Sequence, residues 1–144
     1  MRARLGVFAA ALWWGSLSTI GLLVVPLLFA QLPTPALAGN TAAKLFSAQT
    51  WVSVACGLVL LLNLKQKGQD ALVQRSSAAM LFIVLGMLLA LLVEFGVAPR
   101  IVQRENLKLW HSVGAAMFLV QWLCAGAALW IGAAPVAEPG ADQL

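Results

Sequence analysis

Residues 33–40 read Pro-Thr-Pro-Ala-Leu-Ala-Gly-Asn, and the fold turns on what this stretch is. It closes a long apolar run that begins at Leu5 and is preceded by Arg2 and Arg4. Ala36-Leu37-Ala38 has the A-x-A form of a signal-peptidase site, so everything before Gly39 could be a removable leader. The alternative makes PTPALAGN the first loop of a membrane protein. A secretory apolar core is about 7–15 residues long, and the run from Leu5 is nearly twice that. Trp13-Trp14-Gly15-Ser16 also breaks it up, and cleavage would leave a three-span remnant. The expectation is a retained first helix, with PTPALAGN as a helix-to-helix connector. Pro26 then kinks the last turn of helix one, and Pro33 and Pro35 stop it. Gly39-Asn40-Thr41 supplies the turn and N-cap of helix two.

Composition supports that reading. Of 144 residues, 62% are hydrophobic and 10% charged, with a mean hydropathy of +0.92. Soluble domains carry about 25% charged residues, so this chain has too few to cover a water-facing surface. Four apolar stretches stand out, at about 5–32, 42–64, 77–97 and 107–133. Each reaches the roughly 20 residues a helix needs to cross the hydrocarbon. The segments between them, PTPALAGN, KQKGQDALVQR and APRIVQREN, are short, which favours antiparallel neighbours. The fold class expected is all-α, an integral membrane antiparallel four-helix bundle forming a single domain over 1–144, with a polar tail at 134–144.

The formal net charge is +4, which in a membrane protein marks loops near anionic lipid, not nucleic-acid binding. The side of the amino terminus and second loop holds Arg2, Arg4, Lys65, Lys67 and Arg75. The other side holds Lys44, Arg100, Arg104 and Lys108. Five against four places both termini in the cytoplasm of a cell inner membrane.

At about 100° per residue, small or polar residues gather on one side of each helix. These are Ala11, Gly15 and Ser18; Gln49, Ser53, Cys56 and Asn63; Ser76, Met80, Met87, Ala90 and Glu94; and Gly114, Gln121, Ala125 and Gly132. Lipid gains nothing from such groups, whereas helix interfaces do. The stripes read as the seams of a bundle, with a polar path through it as the sharper alternative.

One layer carries charge. Glu94 lies about a turn from the end of helix three, Lys44 opens helix two, His111 lies a turn into helix four, and Arg100 stands in the loop between. A charge in hydrocarbon costs about 2.5–3.5 kcal/mol on insertion scales. Glu94 should therefore pair with Arg100, Lys44 or protonated His111, or give up its charge. Lys44, Glu94, Arg100 and His111, with Trp110 beside them, form the binding candidate. A clasp fixing the helix ends, a site for an anion, lipid head group or quinone-like ring, and a proton relay through Glu94 and His111 all fit the layer.

Other chemistry finds less support. A single His excludes a bis-His haem within the chain. Met80, Met87, Met117, Cys56 and Cys124 have the softness Cu(I) prefers, but Met and buried Cys serve more simply as core filler. No phosphate loop and no nucleophile–base pair is present, so neither a cofactor, a metal nor a catalytic residue is assigned.

Gly15-Ser16, Leu32-Pro33, Lys44-Leu45-Phe46, Glu94 with Pro99-Arg100, and Trp110-His111 together resemble the transmembrane protein 205-like family over roughly residues 8–130. Its members are small four-helix membrane proteins, carried as a domain of unknown function. The resemblance implies that Lys44, Pro99, Arg100 and His111 belong to a recurring pattern, and it transfers no activity. The function expected is that of a non-enzymatic membrane protein that binds or moves a small solute or ion, or serves as an accessory subunit. A quinone- or redox-associated subunit and a purely structural helix-packing partner are the alternatives. The expected partners are membrane lipids and a further copy or a larger membrane complex.

Overall fold

A computed structural model describes residues 2–65, 73–103 and 105–133, all in helices or the short connectors between them. Helix α1 runs Arg2–Thr19, passes through a π turn at Ile20–Val24 and continues over Val25–Gln31. Helix α2 is Pro35–Lys65. Helix α3 runs Val73–Leu92, passes through a second π turn at Val93–Val97 and ends with Ala98–Val102. Helix α4 is Leu107–Ala133. All four are long and apolar enough to cross a membrane, over Arg4–Gln31, Pro35–Leu64, Ser77–Val102 and Leu107–Ala133. Most of the expected second loop and the polar tail lie outside the described residues.

The stretch that opened the sequence reading is mostly helix. Only Leu32, Pro33 and Thr34 connect α1 to α2. Thr34 is the cap: its Oγ1 accepts the N–H of Leu37 at 3.2 Å, and its carbonyl accepts that of Ala38 at 3.1 Å. Pro35 follows in the first helical position, where its missing N–H costs nothing. The turn expected at Gly39-Asn40-Thr41 is therefore helix, and the Thr41 hydroxyl bonds back to the Leu37 carbonyl at 2.9 Å.

The prolines inside α1 and α3 end neither helix. The N–H of Val25 bonds the carbonyl of Ile20, and that of Ala98 bonds Val93, each a five-residue step. Pro26 and Pro99 come immediately afterwards. A proline has no N–H to give, and its ring crowds the carbonyl four residues back. Widening the preceding turn relieves that crowding and lets the helix resume. For α3 this carries the helix to Val102, so Arg100 stands in its last turn and not in a loop.

Helix α1 packs on α2 and α4, and α3 packs on the same two. The interior is mostly apolar but encloses polar groups as well, while large apolar side chains cover the outside. Gln49, Thr50, Ser53 and Gln121 are buried, whereas Phe8, Leu22, Trp51, Leu81 and Trp130 are exposed. That is the arrangement lipid selects, since polar groups must find partners inside. Trp13, Leu17 and Ile83 complete the centre. The Trp13 ring lies so close to Gly86 that a Cβ there would come within 2.8 Å of it. Its indole Nε1 is the buried side-chain atom left without a hydrogen-bond partner among the described residues.

Candidate functional site

A tight reversal between α3 and α4 builds one end of the molecule. The N–H of Gln103 bonds the Pro99 carbonyl at 2.9 Å, and that of Glu105 bonds the Arg100 carbonyl at 3.0 Å. Asn106 follows with a φ of 36°, a left-handed conformation that Asn tolerates better than most side chains. Its carbonyl then accepts the N–H groups of Leu109 and Trp110 at 2.9 and 3.2 Å, starting α4. The reversal lays the Arg100 guanidinium over the Trp110 ring, 4.3 Å from its centroid. Such a contact at an exposed site contributes about 0.5–1 kcal/mol. One guanidinium N–H goes to the Gly96 carbonyl at 3.2 Å, out of the five that arginine carries.

Glu94 finds a different partner from those expected. The Ser47 hydroxyl donates to its Oε1 at 2.5 Å, joining α2 to α3. Among the described residues, none of Lys44, Arg100 or His111 bonds it. The continuation of α3 through Pro99 gives the reason for Arg100. Side chains three or four apart face each other on a helix, whereas Glu94 and Arg100 are six apart and point to different neighbours. Lys44, one turn before Ser47, and His111 are both exposed. Among the described residues neither side chain has a bonded partner. The structure thus joins Arg100 to Trp110 and Glu94 to Ser47, and among the described residues it brings neither Lys44 nor His111 into a hydrogen bond or ion pair with them. Arg104 lies outside the described residues.

Deeper in the molecule a neutral network ties three helices. Gln49 Nε2 donates to Ser16 Oγ at 2.9 Å and to Ser53 Oγ at 3.3 Å. Gln121 Nε2 donates to the same Ser53 oxygen at 3.0 Å. Ser53 in turn donates to the Gln49 carbonyl at 2.9 Å, and Ser16 to the Trp13 carbonyl at 3.0 Å. Beside it Trp122 Nε1 donates to Ser18 Oγ at 2.8 Å, and the Trp14 and Trp122 rings meet at 5.6 Å. The interior stripes of the sequence contained Gln49, Ser53 and Gln121 but not Ser16. Counting outward from the connector would have found it, because Ser16 and Gln49 lie at similar distances from Pro33.

This network is built of amides and hydroxyls, which hold helices together without titrating. Among the described residues no group of three or more His, Cys, Asp or Glu side chains could hold a metal. No curated protein and no solved structure matches the chain. The expected membership of a family without assigned function does find a match, although not under the transmembrane protein 205-like description. The model of a family described as a domain of unknown function (DUF4149) matches residues 8–110, and the chain belongs to that family.

Proposed function

We propose that this is a non-enzymatic membrane protein that binds a small anionic solute or ion at the end built by Lys44, Arg100, Trp110 and His111. The observation that carries the reading is the pairing pattern. Ser47 donates to the Glu94 carboxyl, and the exposed Arg100 guanidinium rests on an aromatic ring with no carboxylate against it among the described residues. A planar guanidinium with spare donors is suited to carboxylate or phosphate groups.

The architecture we propose around this site is an antiparallel membrane bundle. Along α1 and α2, Gly6 lies beside Asn63 while Ser16 bonds Gln49. Along α3 and α4, Gly86 lies beside Cys124 while Arg100 covers Trp110. As one number rises its partner falls, which supports opposite directions. A cell inner membrane, cytoplasmic termini, a retained first helix and kinship with the transmembrane protein 205-like proteins belong to the same reading. The anion site would then face away from the cytoplasm.

Native mass spectrometry of protein drawn from membranes in mild detergent tests the site. Wild type should carry a bound anionic mass that Lys44→Gln, Arg100→Gln and His111→Gln each lose while keeping their thermal stability. A similar fall in stability for all three, with no bound mass in wild type, would make this end a structural clasp.

A further inference from the structure

Between α1 and α4 lies an open groove of about 340 Å³, lined by Leu17, Gly21, Leu22, Phe118, Leu119 and Trp122 together with Ala115. Gly21, inside the first π turn, lets the Phe118 ring pack within 2.8 Å of where a Cβ would stand, and Ala115 beside it on α4 is small. Leu22 and Leu119 stand exposed as rims. The volume falls at the lower end of the roughly 300–1,000 Å³ found for ligand sites.

We propose that this groove holds one acyl chain of an anionic phospholipid whose head group is bound by Lys108 and His111. At about 100° per residue, Lys108, His111, Ala115, Phe118, Leu119 and Trp122 share one sector of α4 roughly 100° wide. With a rise of 1.5 Å per residue, Ala115 lies about 6 Å below His111 and Trp122 about 16 Å below it. The groove itself spans about 10 Å along α4, from Ala115 to Trp122, and ends about one leaflet below His111, half of a hydrocarbon core about 30 Å thick. Lys108 and His111 are exposed at its mouth, and helical side chains lean toward the helix amino terminus, here toward the membrane surface. Glu105, exposed in the turn before α4, forms no ion pair with Lys108 among the described residues. The site shares only His111 with the proposed anion end and does not depend on Arg100 or Trp110.

Trp122 on the groove wall supplies the probe. Wild type and Trp122→Phe are reconstituted in phosphatidylcholine bilayers containing brominated-chain phosphatidylglycerol or brominated-chain phosphatidylcholine, and the difference in fluorescence quenching reports the chain in the groove. One cation near the surface favours an anionic lipid by about fivefold, so phosphatidylglycerol should quench at about one fifth of the mole fraction needed for phosphatidylcholine. Lys108→Gln should remove that preference, Ala115→Leu should lower quenching by both lipids, and Arg100→Gln should change neither. Equal quenching by the two lipids in wild type overturns the proposal, and so does undiminished quenching in a folded Ala115→Leu. A preference lost with Arg100→Gln but kept in Lys108→Gln moves the head group to the other site and also overturns it. If circular dichroism shows Ala115→Leu to be unfolded, the wild-type comparison decides alone.

Discussion

Replacing Gln121 by Leu should destabilise the wild-type protein but stabilise a protein that already carries Ser53→Ala. The geometry dictates the change of sign. Ser53 Oγ accepts from both Gln49 and Gln121 and donates to the Gln49 carbonyl. In Gln121→Leu one interhelical hydrogen bond disappears, yet Ser53 keeps its bonds to Gln49 and no polar group is stranded. Such bonds inside membrane bundles average about 0.6 kcal/mol and reach about 1.7, so the loss should be modest.

Ser53→Ala is the harsher change. It leaves the Gln121 amide without its partner at a site where Gln121 is 3% exposed. Stranding a buried donor costs about 1–3 kcal/mol, more than the bond itself contributes. Gln49 suffers less, because its stronger bond to Ser16 remains. In the Ser53→Ala background, Gln121→Leu removes the stranded amide and should recover about 1 kcal/mol of that penalty. The double-mutant cycle is read by reversible unfolding in mixed micelles titrated with sodium dodecyl sulfate, following helical circular dichroism. If Gln121→Leu weakens both backgrounds by the same amount, the two residues are uncoupled and the network is not as described.

Three further expectations can be read by the same unfolding assay. Gly86→Ala should cost about 1–3 kcal/mol, because the new Cβ meets the enclosed Trp13 ring at 2.8 Å and Cys124 at 3.3 Å. Gly15→Ala, with nothing within 4 Å, should instead gain about 0.5–1 kcal/mol from reduced chain entropy. Thr34→Ala should cost about 1 kcal/mol through loss of the α2 cap, whereas Asn40→Ala, exposed and inside the helix, should be close to neutral. Ser47→Ala should destabilise by about 1–3 kcal/mol by taking the hydrogen bond from a half-buried Glu94. Glu94→Gln, which retains an acceptor oxygen for Ser47, should cost less.

The sequence showed the number of spans, the start of α4 and the interior positions of Gln49, Ser53 and Gln121, and it did so for one reason. Length and apolarity decide a span, and polar groups inside lipid must turn inward. The same physics hid the rest of the core. An apolar side chain is at home on either side of a membrane helix, so Trp13, Leu17 and Ile83, all enclosed, looked no different from exposed Leu22 or Leu81. The stripe read on α3 shows the limit. Ala90 is buried as expected, but Met80 is half exposed, and the enclosed face runs instead through Ala79, Ile83, Ala90 and Val97. At the start of α2 two sets of signals competed. Gly39-Asn40 suggested a turn, yet Thr34-Pro35 provided both a cap and a first-turn proline, and those act before the glycine is reached.

Pro99 decides where the charges of α3 go. Had the helix stopped before it, Arg100 would stand on a flexible loop able to fold back and neutralise Glu94. The π turn lets the helix pass the proline, so the two side chains are fixed on different faces of one rod. Glu94 is delivered to Ser47 on α2, and Arg100 to Trp110 on α4. The carboxyl accepts a neutral hydroxyl, and the guanidinium rests on an aromatic ring. The same local device before Pro26 has no charges to sort. There the π turn carries Gly21, which packs against Phe118 along the apolar groove. One response to a proline inside a membrane helix thus lies beside both candidate sites, a cationic one at the end of α3 and an apolar one along α1.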